Sequence, residues 1–131
     1  MASAPAFTAT PRLAVAAVTT ANTGRDGTGT IATVITGVAA GTRIDRIRIV
    51  ATADPADSIV NLFLHDGTTA WFFDSFDIGN PAAASTTVDP FMAEKTYANL
   101  ILPSASWSVR ASITVTLTSG QINCYAFGGD F

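Results

Sequence analysis

His65 is the single histidine of this 131-residue chain, so histidine-based chemistry would have to be assembled around it. Asp66 is adjacent, and Asp74 and Asp77 lie on the segment that returns from the next turn, which places carboxylates within reach of the imidazole. A hydrolase would also need a marked nucleophile, and no Gly-x-Ser-x-Gly pattern provides one. The pattern therefore favours a strand-end histidine beside a turn over a catalytic one.

Other ligand and acid–base constellations are equally sparse. A zinc site would need further His or Cys ligands, and Cys124 is the only cysteine; we interpret it as a small buried hydrophobe. Glycoside hydrolysis needs two carboxylates in different environments, and the spacing of Asp74, Asp77, Asp89 and Glu94 does not indicate such a pair. We therefore expect a protein that is not an enzyme, with no catalytic residue, no metal and no cofactor.

Two glycine-containing segments have some features of ligand-binding loops, but neither fits a phosphate-binding or a calcium-binding pattern. Residues 22–29 (NTGRDGTG) lack the lysine and the spacing of a phosphate-binding loop. Asp26 and Asp66 are each followed by Gly-Thr, but neither is followed by the alternating acidic ligands of a calcium loop. Both segments are interpreted as turns.

Aromatic residues concentrate between positions 71 and 76. Trp71, Phe72, Phe73 and Phe76 could form a platform for stacking sugars, although tryptophan and phenylalanine in a hairpin of this kind are more often core residues. A carbohydrate-binding module is therefore kept as an alternative. It predicts that at least one of Trp71, Phe73 and Trp107 is exposed beside polar groups.

Composition bears on the kind of partner. The chain is 48% hydrophobic and only 13% charged, against a usual charged share of about 25%, so we expect other subunits to cover part of its surface. The net charge of −3 argues against nucleic acid as a partner. The cluster Arg43, Arg46 and Arg48 surrounds Asp45 and is interpreted as a solvated or salt-bridged strand face. No apolar run approaches the length of about 20 residues that spans a membrane, and the first residues are unlike a secretory signal, so we expect synthesis in the cytoplasm and no membrane partner.

The segment from 42 to 78 organises the predicted fold. It contains strands at residues 43–51, 59–65 and 71–78, and the last two are joined by an Asp-Gly turn of the hairpin type. A bulge near Asp45 is predicted because Ile44 is out of phase with the alternation of the following residues. It would place Ile44, Ile47 and Ile49 on the core face, and the arginines outside. Phe72, Phe76 and Ile78 are expected on one face of the last strand.

Weaker patterns complete an all-β chain. Residues 30–38 are expected to form a hairpin with 43–51, and residues 93–97 are the one credible helical turn. Further strands are predicted at residues 12–20, 86–92, 99–102, 107–117 and 122–127. About eight strands with turn signals between them are typical of an antiparallel β-sandwich, jelly-roll-like in form. Residues 1–11 are expected to form an extended N-terminal arm, and residues 12–131 a single sandwich domain.

Four segments carry a resemblance to a known family. They are residues 21–30 (ANTGRDGTGT), 41–49 (GTRIDRIRI), 62–68 (LFLHDGT) and 126–131 (AFGGDF). Together they resemble small structural proteins of tailed bacteriophages and prophages. The resemblance spans nearly the whole chain, and its motifs are turn and strand signatures rather than a catalytic fingerprint.

The resemblance implies a β-sandwich in the virion. We expect a capsid decoration (cement) protein, a homotrimer on the capsid surface that binds the major capsid protein lattice. A tail or fibre-base subunit is the alternative within the same class. The interaction residues that we expect come from the arm, the loop at 22–29, the arginine strand and the C-terminal tail: Phe7, Pro11, Asn22, Arg25, Asp26, Arg46, Arg48, Asp130 and Phe131.

Overall fold

The computed structural model describes residues 7–131, and these residues form eight β-strands and no helix. The strands are β1 (Thr10–Val18), β2 (Ala32–Thr36), β3 (Thr42–Ala51), β4 (Ser58–His65), β5 (Ala70–Gly79), β6 (Met92–Leu102), β7 (Ser108–Ile113) and β8 (Ile122–Asp130).

The strands form two four-stranded sheets. Sheet 1 has the order β1-β8-β3-β6 and sheet 2 the order β2-β7-β4-β5, and every pair of neighbouring strands is antiparallel. Pairing the first strand with the last, and the second with the seventh, is the strand arrangement of a jelly roll. The predicted all-β, jelly-roll-like sandwich of about eight strands is therefore confirmed.

The bulge in β3 lies where the sequence pattern places it. The register of β3 shifts between Ile44 and Arg46 against both neighbouring strands. Asp45 is the extra residue against β8, whereas against β6 the three residues 97–99 lie opposite it. Ile44, Ile47 and Ile49 consequently face the core and are fully buried, while Arg46 lies outside. Stiff β-branched side chains on one face of a central strand explain why this strand anchors sheet 1.

The β4–β5 hairpin follows the Asp-Gly turn, in which Gly67 has the positive φ that such turns need. The prediction that Phe72 and Phe76 share one face of β5 was wrong. Leu62 pairs with Asp74 but Phe63 pairs with Phe72, so a bulge at Phe73 reverses the alternation. Phe76 is buried between the sheets, whereas Phe72 lies on the outer face against Phe63.

Three local predictions are corrected by long-range pairing. Residues 30–38 do not form a hairpin with β3, because β2 pairs with β7 in the opposite sheet. The expected helical turn at 93–97 is part of β6, where pairing of Ile47 with Lys95 overrides the helix propensity of Ala, Glu and Lys. Residues 86–91 are not a strand, because the Ser85 side chain caps the amides of Thr87 and Val88 in a turn.

Strand ends also differ from expectation. β7 ends at Ile113 and not at residue 117 as expected. Thr114 accepts the Ile59 amide on its hydroxyl, so a side chain replaces the backbone carbonyl of the next ladder bond. β1 begins at Thr10, so the last two residues of the expected arm belong to the strand. The first six residues of that arm lie outside the described residues.

The core lies between the sheets and is aliphatic. Its largest fully buried members come from both sheets: Ile35, Ile44, Ile47, Ile49, Leu62, Leu102, Ile113 and Ile122. Cys124 is buried among them, which confirms its interpretation as a small hydrophobe. Over residues 7–131, no helix is long and apolar enough to cross a membrane.

Candidate functional site

The outer face of sheet 1 carries a row of uncovered apolar side chains. In β1, Ala14 and Ala16 pack towards the core, so Leu13 and Val15 point outwards and are 65% and 54% exposed. Their partners in the register are Phe127 and Tyr125 of β8. These four side chains, with Met92 of β6 at the far edge, are called the apolar face below. Met92 is 47% exposed.

Two arginines border this surface. Arg46 pairs in register with Phe127, and its guanidinium carbon lies 4.4 Å from the centre of that ring. Glu94 holds the other side of the same guanidinium at 3.6 Å. A cation over a ring face adds electrostatic attraction to the ion pair, so Arg46 is fixed on the ring.

The second arginine, Arg48, pairs in register with Tyr125 on one side and Glu94 on the other. Its Nη2 lies 3.8 Å from the Met92 sulfur. The rings of Tyr125 and Phe127 stack with centroids 6.4 Å apart. Arg46 and Arg48, two of the predicted interaction residues, therefore both lie on the apolar face. The expected salt-bridged strand face is confirmed as well, by Arg46 with its glutamate and by a 2.9 Å pair between Arg43 and Asp45.

The chain ends form a second cluster at one end of the sandwich. Asp130 accepts hydrogen bonds from Arg12 Nη1 at 3.0 Å and from Thr42 Oγ1 at 2.7 Å. The Thr42 hydroxyl and then the Arg12 guanidinium hold the pKa of the Asp130 carboxyl below its usual range. This carboxylate ties β8 to β1 and β3, so it has a structural role at this end.

Three other predicted interaction residues belong to this end of the sandwich. The Phe131 amide donates to the Gly41 carbonyl at 3.1 Å, and Pro11 pairs in register with Gly129. Phe7 is 77% exposed at the start of the described residues. The structure thus brings Pro11 together with the C-terminal residues, and Arg46 pairs with Phe127, two residues before Gly129 on the same strand.

The loop at 22–29 lies on the opposite sheet. Arg25 Nε donates to Asn61 Oδ1 of β4 at 3.3 Å, and its guanidinium carbon lies 5.3 Å from the Phe72 ring centre. The segment between β1 and β2 therefore folds back over the outer face of sheet 2. This cover explains why Asn61 and Phe63, which point away from the core, are fully buried. The loop residues do not join the other predicted interaction residues.

The same loop is braced internally. Asn22 Nδ2 donates to the carbonyls of Thr28 and Thr30, and Asp26 Oδ1 accepts from the amide and the hydroxyl of Thr28. Those hydrogen bonds lower the pKa of Asp26, with the hydroxyl making the largest contribution. Asp26 acts as a turn residue, in line with the sequence analysis.

The neighbourhood of His65 is that of a turn. His65 Nδ1 accepts from the Gly67 amide at 3.0 Å, and the adjacent Asp66 accepts from the amides of Thr69 and Thr68. These amides, together with the Trp71 indole, lower the pKa of Asp66 to about 2. No group of three His, Cys, Asp or Glu side chains within residues 7–131 is placed to hold a metal ion.

A polar network closes the open side of the sandwich between β5 and β6. Asp74 accepts from Lys95 Nζ and from the Tyr97 hydroxyl, each at 2.8 Å. Burial alone would raise the pKa of Asp74, but the hydrogen bonds from Lys95 and Tyr97 outweigh it and lower the value. Burial and the facing carboxylate raise the pKa of Tyr97. The tyrosine therefore stays protonated and acts as a donor in a structural network.

A small cavity of about 70 Å³ lies beside the ends of β1 and β7. Thr19, Thr30 and Ser112 are among its lining residues, and Ser112 Oγ is buried without a hydrogen-bond partner among the described residues. The space is large enough to hold water, which would satisfy that hydroxyl.

Sequence reasoning missed Leu13, Val15, Tyr125 and Phe127 as surface residues. The signal was present in residues 12–18 (RLAVAAV), where large and small apolar residues alternate with period two. Which of the two sets faces the core follows from pairing with β8, and the small alanines are the inward set.

Fold and surface together define a jelly-roll protein with one sheet face covered by its own loop and the other left open. No protein-family model matches the chain, and a search of curated proteins finds no significant match.

Proposed function

We propose that this chain is a non-enzymatic structural subunit of a tailed-phage virion, acting as a trimeric capsid decoration protein on the major capsid protein lattice. The observation that carries the proposal is the apolar face, where the exposed Leu13 and Val15 of β1 lie beside the half-buried Tyr125 and Phe127 of β8. Contiguous exposed apolar patches on small proteins mark interaction sites. The sequence resemblance supplies the virion as the setting.

The energetic argument favours a permanent assembly. Burying one Val, Leu, Met or Phe side chain is worth about 1.5–3 kcal/mol, so covering even part of this face stabilises an assembly substantially. The charged share of 13% leaves few surface charges to oppose association. In a structural subunit, such a surface stays buried in the assembly.

The end of the sandwich that carries the chain termini is the proposed contact with the capsid lattice. Phe7 is mostly exposed and precedes by two residues Ala9, whose amide donates to the Asp130 carbonyl at this end. This end lies beyond Leu13 and Phe127 along β1 and β8, so a contact with the shell and a contact with another copy would lie next to each other on one subunit.

Cosedimentation with expanded capsids that lack the protein tests the proposal. The full chain should pellet with the capsids, and a variant lacking residues 1–8 should not, although β1 remains complete in it. Val88→Glu, a change at an exposed site in the loop before β6, is the matched control and should bind like the unaltered chain. Binding to purified tails but not to capsids would reject decoration in favour of the tail or fibre-base alternative.

One observation favours the carbohydrate-binding alternative. Trp71 is 55% exposed, and its Nε1 donates to Asp66 Oδ2 at 3.1 Å, which fixes the ring beside polar groups. A glycan array probed with the unaltered chain and with Trp71→Ala tests it. Glycan binding that Trp71→Ala abolishes would support this alternative, and an array without hits would reject it.

A further inference from the structure

We infer that a second copy of this chain covers the outer face of sheet 1, with Leu13, Val15, Tyr125 and Phe127 at the centre of the contact. The inference rests on the proposed function only in that both treat the protein as an assembly subunit. It adds the surface through which the copies meet.

The outer face of sheet 2 is covered by a loop of the chain, whereas the outer face of sheet 1 is not. The segment between β1 and β2 crosses sheet 2 and buries Asn61 and Phe63. Within residues 7–131 no segment crosses sheet 1 in this way, and Leu13 and Val15 keep more than half of their surface exposed. The chain leaves this face open, although the apolar residues of β1 on it are larger than the alanines on the inner side. We therefore expect another molecule to cover it.

The size of the face matches a contact between subunits. Four strands spaced about 4.8 Å apart, each about nine residues long at about 3.3 Å per residue, span about 19 Å by about 30 Å. The flat projection is about 570 Å², and the pleated surface with its side chains is larger than that. A standard stable interface buries about 800 Å² per partner, so this face is of the right order.

The charges of the face suit a copy of itself. Arg46 is paired with Glu94 and Arg43 with Asp45, so positive and negative groups are interspersed on β3 and β6. A face of one sign would repel its own copy, whereas a mixed one lets opposite charges of neighbouring copies meet. Arg48 lies next to the exposed Met92 and adds a cation that can reach a carboxylate of the facing copy.

The distribution of apolar and charged residues over this face also resembles that of a protein interface. The apolar residues lie on β1 and β8, and the charged residues lie on the adjoining β3 and β6. Interfaces commonly have an apolar centre and a polar rim. A copy that covers all four strands would bury the rings of Tyr125 and Phe127 together with Arg46, which packs on the Phe127 ring.

Light scattering on the purified protein, without capsids, tests the inference. At about 100 µM, a hundredfold above a micromolar dissociation constant, the mass should be two or more times the 13.5 kDa of one chain. Val15→Glu should shift it to a single chain, because the change buries a charge at the centre of the contact. Val88→Glu makes the same substitution at an exposed site off the face and should leave the mass unchanged.

Each outcome is decisive. A single-chain mass for the unaltered protein, or an oligomer that both glutamate variants preserve, would overturn the inference. Circular dichroism of Val15→Glu should show an unchanged β spectrum; if that variant unfolds, Leu13→Ser provides the same test with a milder change. An oligomer that ignores capsids would reject the proposed function and leave the inference standing. A monomer that binds capsids would overturn the inference and the proposed trimer but leave capsid decoration standing.

Discussion

Lys95 Nζ lies 2.8 Å from Asp74 Oδ1 and so joins the edge strands of the two sheets, β6 of sheet 1 and β5 of sheet 2. The same ammonium donates to the Ser75 carbonyl and lies 5.2 Å from the centre of the Phe76 ring. A sandwich is open along its sides, and a charged bond across the opening fixes the spacing of the sheets there. The only lysine of the chain is used for this purpose.

Asp74→Ala should lower the free energy of unfolding by about 1 kcal/mol, because it removes charged hydrogen bonds from a site that is still partly screened by solvent. Urea titration followed by circular dichroism measures the change. Asp57→Ala is the control, since Asp57 is exposed and has no ion pair within residues 7–131. A loss no larger than that of the control would contradict a role for the network in stability.

Arg25→Met should also destabilise the fold, by about 1–2 kcal/mol, because Asn61 Oδ1 would lose its donor in a buried site. The loop would then detach from sheet 2 more readily and expose Phe63, which a rise in fluorescence of a hydrophobic dye would report. Arg43→Met removes only an exposed ion pair and should cost less than about 0.5 kcal/mol. Equal losses of unfolding free energy for the two substitutions would mean that the loop does not protect the outer face of sheet 2.

Stability should fall in acid, and part of the fall should come from Asp66. Its folded pKa of about 2 lies below its ordinary value of 3.8, so its contribution is present above about pH 4 and is lost as the pH falls towards 2. Asp66→Asn keeps an oxygen that accepts the turn amides but does not titrate. Urea midpoints at pH 6, 4 and 2.5 should therefore decline less steeply in the variant. Parallel declines would exclude this carboxylate as a source of the acid sensitivity.

Cys124 should resist thiol reagents in the folded protein. The side chain is fully buried, and burial raises the pKa of the thiol to about 12, so neither access nor thiolate is available. Labelling with a disulfide reagent at pH 8 should be negligible in buffer and complete in urea. Rapid labelling without denaturant would show that β8 opens locally.

Local sequence patterns determined much of the fold. The spacing of Ile44, Ile47 and Ile49 predicted both the strand and its bulge, because a side chain out of phase with period two has to be accommodated by an extra residue. The Asp66-Gly67 pair predicted the hairpin turn, since glycine tolerates the positive φ. The lone cysteine and the scarcity of charge likewise followed from composition alone.

Only the tertiary structure decided which strands pair and which faces are covered. Residues 93–97 have helix propensity, but pairing with β3 makes them a strand; the bulge at Phe73 sends Phe72 outwards, which alternation alone did not predict. The predicted interaction residues separated for the same reason: Arg46 and Arg48 lie on sheet 1, while Arg25 packs on sheet 2. Period two fixes which residues share a face, but contacts between residues distant in sequence determine whether that face meets the core, a loop or solvent.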